Sequence, residues 1–153
     1  MADRLREGDV APDFTAADQD GNPVTLSALR GHPVVLYFYP KDDTPGCTAQ
    51  ACGLRDSYSA FRARDVVVLG VSPDSAAKHR KFADKYGLPF PLLADTEHQV
   101  AEQYGVWAEK TFMGKKYMGN DRTTFVIDAD GRVRKVLPKV SPEEHVDRVL
   151  EVL

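Results

Sequence analysis

The sequence lacks a long apolar run. Its longest strongly apolar segments, Val34–Tyr39 and Val66–Val71, have six residues each, whereas a helix that spans a bilayer needs about 20. The first ten residues contain no apolar stretch of the kind that a secretory signal peptide carries. We therefore expect a cytoplasmic protein without a membrane-bound segment.

Cysteine is also scarce, with two residues in a chain of 153. Two cysteines are too few for a disulfide-scaffolded secreted module or for a zinc site built from four thiolates. In a reducing compartment, a lone pair of cysteines is more often redox-active than structural. This scarcity favours the interpretation that the two thiols are chemical reagents.

Neither sign of charge dominates, because 20 basic side chains face 23 acidic ones for a net charge of −3. This balance argues against a protein that binds nucleic acid or an anionic membrane through bulk charge. The pair Asp42–Asp43 is interpreted as a solvated turn. The histidines share no ligand spacing and are interpreted as surface residues: His32, His79, His98 and His145. We expect no metal and no other cofactor.

Strand-like and helix-like segments alternate along the chain without a repeat or linker, which predicts a single domain over residues 1–153. Val34–Tyr39 and Val66–Val71 are typical of strands buried on both faces. A helix predicted from Pro45 to Arg64 joins them, so the two strands should be parallel. A hairpin is predicted around Asp20–Asn22, with strand residues at Phe14–Thr15 and Val24–Thr25.

The second half of the chain predicts further alternation. The expected elements are a helix ending at Gly87, a strand at Leu92–Ala94, a short helix at Gln99–Tyr104, a hairpin of Thr123–Asp128 and Val133–Leu137, and a last helix capped by Ser141 with Pro142 at its first position. Together these elements predict an α/β protein with a central mixed sheet flanked by helices. This arrangement resembles the thioredoxin fold with an N-terminal β-hairpin extension.

A long loop is expected between the short helix and the second hairpin. This loop contains three aromatic residues, Trp107, Phe112 and Tyr117. Two interpretations are open: these residues either border a pocket or pack under the loop.

Cys47 is predicted at the start of the long helix. Thr44 has the character of an N-cap and Pro45 of the first helical residue, which puts Cys47 at the third. A thiol at this position faces free backbone N–H groups and the positive end of the helix dipole, and both favour the thiolate. The alternative is a small buried apolar residue that happens to lie at a helix start.

Cys52 follows five residues later on the same predicted helix. On an ideal helix this spacing separates the two Cα atoms by about 8.7 Å, and a disulfide needs less than about 7 Å. The two cysteines therefore either never pair or pair only after the first turns unwind. Gly53 lies beside Cys52 and weakens a helix interior by about 1 kcal/mol relative to Ala.

The residues around Cys47 resemble a peroxiredoxin. Pro40, Thr44 and Cys47 match the pattern Pro-x-x-x-Thr-x-x-Cys, and a second cysteine five residues on is similar to the bacterioferritin comigratory protein, or peroxiredoxin Q, subgroup. The resemblance extends over nearly the whole chain through four more segments: Gly8–Phe14, Gly70–Asp74, Tyr104–Trp107 and Arg122–Asp128.

The resemblance implies a role for five residues. Cys47 would be the peroxidatic nucleophile and Cys52 the resolving cysteine. Thr44 would hydrogen-bond the thiolate and the peroxide, Pro40 would shield the pocket from water, and Arg122 would lie beside the sulfur.

The resemblance also implies a reaction and its partners. The protein would reduce hydrogen peroxide and organic hydroperoxides, form an intramolecular disulfide, and be recycled by thioredoxin or a similar dithiol. A resolving thiol in the same chain suggests a monomer.

Two other functions remain open at this point. One is a general thiol–disulfide oxidoreductase on the same fold, and the other is a non-catalytic thioredoxin-like binding or chaperone module with inert cysteines. Without the matching segment around it, Arg122 would be read as an ordinary surface cation.

Overall fold

A computed structural model describes residues 5–153, so the first four residues of the predicted domain lie outside the described part. Within residues 5–153, seven strands form one sheet in the order β2-β1-β5-β4-β3-β8-β9, and two more, β6 and β7, form a separate hairpin. The strands are β1 Thr15–Ala17, β2 Pro23–Thr25, β3 Val34–Phe38, β4 Val67–Ser72, β5 Leu92–Ala94, β6 Trp107–Phe112, β7 Lys115–Asn120, β8 Thr123–Ile127 and β9 Val133–Pro138. The helices are α1 Pro45–Asp56, α2 Tyr58–Ala63, α3 Ala76–Tyr86, α4 Gln99–Gln103 and α5 His145–Val152, and Leu26–Leu29 forms a 3₁₀ turn.

The centre of the sheet is the predicted βαβ unit. β3 and β4 pair in parallel, and β8 joins the other side of β3 antiparallel. All five β3 residues are buried, and their side chains alternate between two apolar clusters. The first cluster includes Leu54, Phe82 and Val149 from α1, α3 and α5, whereas the second includes Val100 from α4. The predicted mixed sheet with helices on both faces is confirmed.

The long helix predicted from Pro45 to Arg64 is divided in two. The backbone leaves helical geometry at Ser57, with φ −104° and ψ 10°, and the chain resumes as α2 at Tyr58. The apolar stripe continues across the break, with Leu54 and Phe61 both fully buried. Periodicity alone therefore could not reveal the interruption.

The predicted start of the last helix is wrong. Ser141 does not cap a helix, because the Glu144 N–H donates to the Ser141 carbonyl in a separate turn (3.1 Å), and α5 begins at His145. The turn lets the buried His145 reach β8, where its Nε2 lies 2.7 Å from the Thr124 hydroxyl. This contact outweighs the local capping preference.

The loop expected after α4 is instead the β6–β7 hairpin, paired from Trp107↔Asn120 to Phe112↔Lys115. Its turn uses Met113 and Gly114, both with positive φ. Most of its side chains are half-buried or exposed, so the segment lacks the alternating apolar pattern that marks a strand. No helix of residues 5–153 has both the length and the apolar character that a bilayer crossing requires.

Candidate active site

Cys47 lies at the third residue of α1, directly after the loop that leaves β3. Thr44 has an extended backbone, with φ −98° and ψ 152°, and Pro45 opens the helix, as the sequence predicts. The Cys47 side chain is 1% exposed. The thiol therefore lies at the carboxyl end of a central strand, where open α/β sheets concentrate their chemistry.

Arg122 contacts Cys47 from the neighbouring strand. β8 runs antiparallel to β3, so its first residue, Thr123, is paired with the last residue of β3, Phe38. Arg122 immediately precedes β8 and thus lies at the same edge of the sheet as Cys47. Its Nη2 donates to the Cys47 Sγ over 3.4 Å. The predicted proximity of guanidinium and sulfur is present in the structure.

Gly46 leaves room for the guanidinium beside the helix start. A Cβ atom built on Gly46 would lie 3.0 Å from Arg122 Nη2 and 3.8 Å from Pro142 Cγ. An alanine here would therefore require the guanidinium to shift by a few tenths of an ångström. Gly46 therefore has a steric role that the motif pattern alone did not reveal.

Gln50 is a site residue that the sequence reasoning missed. Its side chain is 1% exposed, and its Oε1 accepts a hydrogen bond from Arg122 Nη1 over 2.8 Å. Arg122 thus holds Cys47 and Gln50 at once, with one guanidinium nitrogen on each. The spacing of three residues on a helix, which puts both side chains on one face, could have indicated this contact.

Lys110 is a half-buried cation of β6 that the sequence reasoning did not single out. Burial lowers the pKa of Lys110, while the nearby Asp121 carboxylate and the Cys47 sulfur act in the opposite direction. Its Nζ lies 3.9 Å from an Asp121 carboxylate oxygen. No signal pointed to Lys110, because the β6–β7 hairpin that carries it had been interpreted as a loop.

Thr44 and Pro40 lie close to Cys47 along the chain. The Thr44 hydroxyl donates to the Lys41 carbonyl over 2.9 Å and makes no side-chain cap of α1. Pro40 is half-buried and follows β3 directly.

Cys52 is half-buried, and both cysteines are free thiols. α1 is continuous from Pro45 to Asp56, so helix geometry holds the two Cα atoms about 8.7 Å apart. The structure thus does not bring the two sulfurs within bonding distance. Next to Cys52, Gly53 faces α5, where an added Cβ would lie 3.4 Å from Val146 Cγ2.

The interpretation of all four histidines as surface residues is wrong for two of them. His79 and His145 are 0% and 1% exposed, whereas the side chains of His32 and His98 are 44% and 39% exposed. Burial lowers the pKa of His145 to about 4, so this ring is neutral at pH 7. His98 stacks on Trp107 with 4.3 Å between the ring centroids.

The prediction that Asp42 and Asp43 form a solvated turn holds for Asp43 and is wrong for Asp42. Asp43 is exposed, but the Asp42 side chain is only 6% exposed and lies 2.6 Å from His79 Nδ1. The error arose because the partner is contributed by α3, more than thirty residues further along the chain.

Asp42, Asp74 and His79 lie near one another, with one potential ligand atom of each within 4.8 Å. A zinc ion would need about 2.0–2.2 Å to each nitrogen and oxygen ligand. Such an ion does not fit between Asp42 Oδ2 and His79 Nδ1, which are 2.6 Å apart. The other His79 nitrogen, Nε2, already faces the Leu93 carbonyl at 2.9 Å.

Comparison with known proteins identifies the family. Residues 8–136 match the family model described as AhpC/TSA family. The chain is 50% identical over 149 residues to Peroxiredoxin Bcp of Escherichia coli K12, covering 97% of this chain and 96% of that protein.

Two solved structures are also similar. Peroxidoxin BcpB of Mycobacterium tuberculosis superposes with a TM-score of 0.87 at 40% identity, covering 97% of this chain and 96% of the other. The bacterioferritin comigratory protein of Xanthomonas campestris gives a TM-score of 0.88 at 35% identity, with the same coverage. These likenesses confirm the thioredoxin-like fold. The chain belongs to the AhpC/TSA family, among the peroxiredoxins of the Bcp and Q type, and is a thiol-dependent peroxidase.

Proposed function

We propose that Cys47 is the peroxidatic nucleophile, that Cys52 resolves its oxidised form, and that a dithiol protein reduces the resulting disulfide. The observation that carries this proposal is the contact of the buried Cys47 Sγ with Arg122 Nη2 at 3.4 Å. The Arg122 guanidinium is permanently charged and lies where negative charge on the sulfur and on the leaving oxygen needs stabilisation.

In the first step, the Cys47 thiolate attacks one oxygen of the hydroperoxide. The O–O bond breaks, the sulfur becomes a sulfenic acid, and the second oxygen leaves as hydroxide or alkoxide and takes up a proton. Negative charge develops on the leaving oxygen, and the Arg122 guanidinium stabilises it there. The bond from Arg122 to Gln50 keeps the guanidinium oriented before the peroxide arrives.

Thr44 and Pro40 complete the peroxide pocket in this proposal. The Thr44 hydroxyl gives its hydrogen to the Lys41 carbonyl, which leaves its oxygen lone pairs to accept the O–H of a peroxide. Pro40 has no N–H to hold water beside the sulfur and shields it with an apolar ring.

In the second step, the Cys52 thiol attacks the Cys47 sulfenic acid, forming the S–S bond and releasing water. This step needs the first turns of α1 to unwind, because an intact helix keeps the two residues too far apart. Fast resolution protects the sulfenic acid from oxidation to sulfinic acid.

In the third step, thioredoxin or a similar dithiol reduces the Cys47–Cys52 disulfide and becomes oxidised itself. The substrates we propose are hydrogen peroxide and organic hydroperoxides. The solved Xanthomonas campestris relative is described in terms of its alkyl peroxide reduction activity, which supports the organic class for this chain.

The remaining proposals concern the whole protein. A resolving cysteine in the same chain lets a monomer complete the cycle, so we propose a monomer. We also propose a single domain over residues 1–153 and a cytoplasmic location, where dithiol reductants keep thiols reduced.

Stopped-flow mixing of the reduced protein with hydrogen peroxide, followed by Trp107 fluorescence, tests this function. We expect a fast second-order phase that Cys47→Ser eliminates. Identical traces for wild type and Cys47→Ser would refute the proposal. Rapid exchange with protein disulfides combined with negligible peroxide consumption would favour a general thiol–disulfide oxidoreductase instead.

A further inference from the structure

The loop between β3 and α1 is fastened to α3 by a buried pair that the reaction chemistry above does not use. His79 is 0% exposed and the Asp42 side chain 6% exposed, with 2.6 Å between His79 Nδ1 and Asp42 Oδ2. The other carboxylate oxygen of Asp42 accepts the Tyr39 hydroxyl at 2.5 Å. The pair therefore anchors the loop that delivers Thr44 and Cys47.

Hydrogen-bond accounting shows that this pair carries an extra proton. The Leu93 carbonyl, 2.9 Å from His79 Nε2, can only accept, so Nε2 must be the donor. A neutral ring would then point the Nδ1 lone pair at a carboxylate oxygen 2.6 Å away, and the two would repel each other. A proton between Nδ1 and Oδ2 removes the repulsion and makes the contact a charge-assisted hydrogen bond.

The charged groups around the ring support a cation. Besides Asp42, a carboxylate oxygen of Asp74 lies within 4.8 Å of one His79 ring nitrogen. Asp74 Oδ2 is occupied by the Ser72 hydroxyl and the Asp42 N–H, both at 2.8 Å. On α3 itself, Lys78 Nζ lies 4.0 Å from Asp74 Oδ1 at the exposed side. Two buried carboxylates thus lie beside this ring, an arrangement that is complementary to a proton held between Nδ1 and Oδ2.

The loop depends on such anchors because its conformation is unusual. Asp43 has φ +58°, in the left-handed region that few non-glycine residues adopt. The loop is held on both sides of this point. Asp42 binds His79 in the interior, whereas Asp43 binds Lys85 Nζ at 2.8 Å and the Tyr86 hydroxyl at 2.7 Å on the surface.

We infer that His79 is a positioning residue for the peroxidase reaction, because as an imidazolium it holds Asp42 and, through Asp42, the loop that places Thr44 and Cys47. The inference rests on the proposed role of Cys47. Without this contact, the loop is held less firmly and Cys47 is less well placed for attack.

Two substitutions of Asp42 provide a matched test. Asp42→Leu removes every hydrogen bond from this side chain to the ring, whereas Asp42→Asn can still donate its amide N–H to Nδ1 of a neutral ring. At neutral pH, we expect Asp42→Leu to slow the second-order reaction of Cys47 with hydrogen peroxide about ten- to a hundredfold. Asp42→Asn should lose clearly less of the rate, because it keeps the loop fastened to α3.

A double variant separates positioning through this pair from a general packing defect. In the Asp42→Leu background, His79→Gln should change the rate by less than about twofold, because its effect passes through Asp42. Two independent packing defects would instead multiply their effects on the rate.

Nuclear magnetic resonance of ¹⁵N-histidine-labelled wild type tests the proton directly and does not depend on peroxide chemistry. We expect both His79 ring nitrogens to resonate as N–H at neutral pH. A neutral ring, or an Asp42→Leu variant that reacts at the wild-type rate, would overturn the inference even if Cys47 is the nucleophile. A wild type that does not consume peroxide through Cys47 would instead refute the proposed function.

Discussion

The two cysteines of α1 occupy opposite environments although only four residues separate them. Cys47 is 1% exposed and held by Arg122, which also holds Gln50 one turn later. Cys52 is half-buried and adjoins Gly53, the weakest residue in the helix interior. The first turn is thus organised for a reaction at a fixed place, whereas the segment around Gly53 has the composition of one that can unwind.

The comparison also assigns Arg122 two opposing effects. The guanidinium promotes attack by Cys47, but its simultaneous bonds to Cys47 and Gln50 hold the first turn of α1 together. Resolution requires that this turn open. The chain therefore has to break the contact that speeds the first step before Cys52 can act.

Replacing the Cys47 sulfur should have the largest effect. We expect Cys47→Ser to reduce peroxide consumption to the level without protein, because Cys47 is the buried thiol that accepts a hydrogen bond from the Arg122 guanidinium. A coupled assay with thioredoxin and its reductase measures this turnover. Appreciable turnover by Cys47→Ser would show that the buried thiol is not the nucleophile.

Replacing the Cys52 sulfur should separate the first oxidation from the resolution step. We expect Cys52→Ser to keep the wild-type rate for the first oxidation, seen by stopped flow, and to lose the intramolecular disulfide. Its Cys47 should then accumulate as sulfenic or sulfinic acid, visible as added oxygen in the intact mass. Continued turnover with thioredoxin alone would argue for a one-cysteine route.

Removing the guanidinium should change both steps in opposite directions. We expect Arg122→Met to slow the first oxidation about a hundred- to a thousandfold, the typical cost of losing one preorganised transition-state donor. Once the sulfenic acid has formed, resolution in the same variant should be faster than in wild type. Arg122→Lys serves as the control, because it keeps the charge but lacks the planar fork that places one nitrogen on Cys47 and another on Gln50. Equal resolution rates in wild type and Arg122→Met would show that Arg122 does not hold the first turn of α1 together.

Stabilising the helix at Gly53 should have the smallest effect. Ala is about 1 kcal/mol more favourable than Gly in a helix interior, so we expect Gly53→Ala to slow disulfide formation about fivefold. The first oxidation, measured on the same variant, is the internal control and should not change. The added methyl group lies 3.4 Å from Val146 Cγ2, so a denaturation curve must confirm that stability has not fallen. An unchanged resolution rate would count against unwinding.

Local sequence signals were enough for the parts of the site that lie close together in the chain. Thr44, Pro45 and Cys47 follow simple helix-start preferences, and β3 and β4 carry continuous apolar runs, so the strand, loop and helix could be predicted together. The position of Arg122 beside the sulfur came only from the family resemblance. Its physical reason is the β3–β8 pairing, which single-sequence patterns do not specify.

The errors involve contacts between distant segments. Asp42 and His79 were interpreted as solvent-exposed because the sequence around each residue does not indicate that the other lies beside it. Only the packing of α3 against the sheet brings them together. The last helix begins late because His145 bonds Thr124, which overrides a favourable cap at Ser141. The β6–β7 hairpin pairs outside the main sheet, so its strands lack a buried face and the pattern that goes with one.

One measurement tests the central claim most directly. Trypsin cleaves after Lys41 and Arg55, so residues 42–55 form one peptide that contains both cysteines. After treatment of the reduced protein with one equivalent of hydrogen peroxide and blocking of free thiols, mass spectrometry should find this peptide unblocked and two hydrogen masses lighter, as an internal Cys47–Cys52 disulfide. A peptide with both thiols blocked, or one joined to a second chain, would contradict the account.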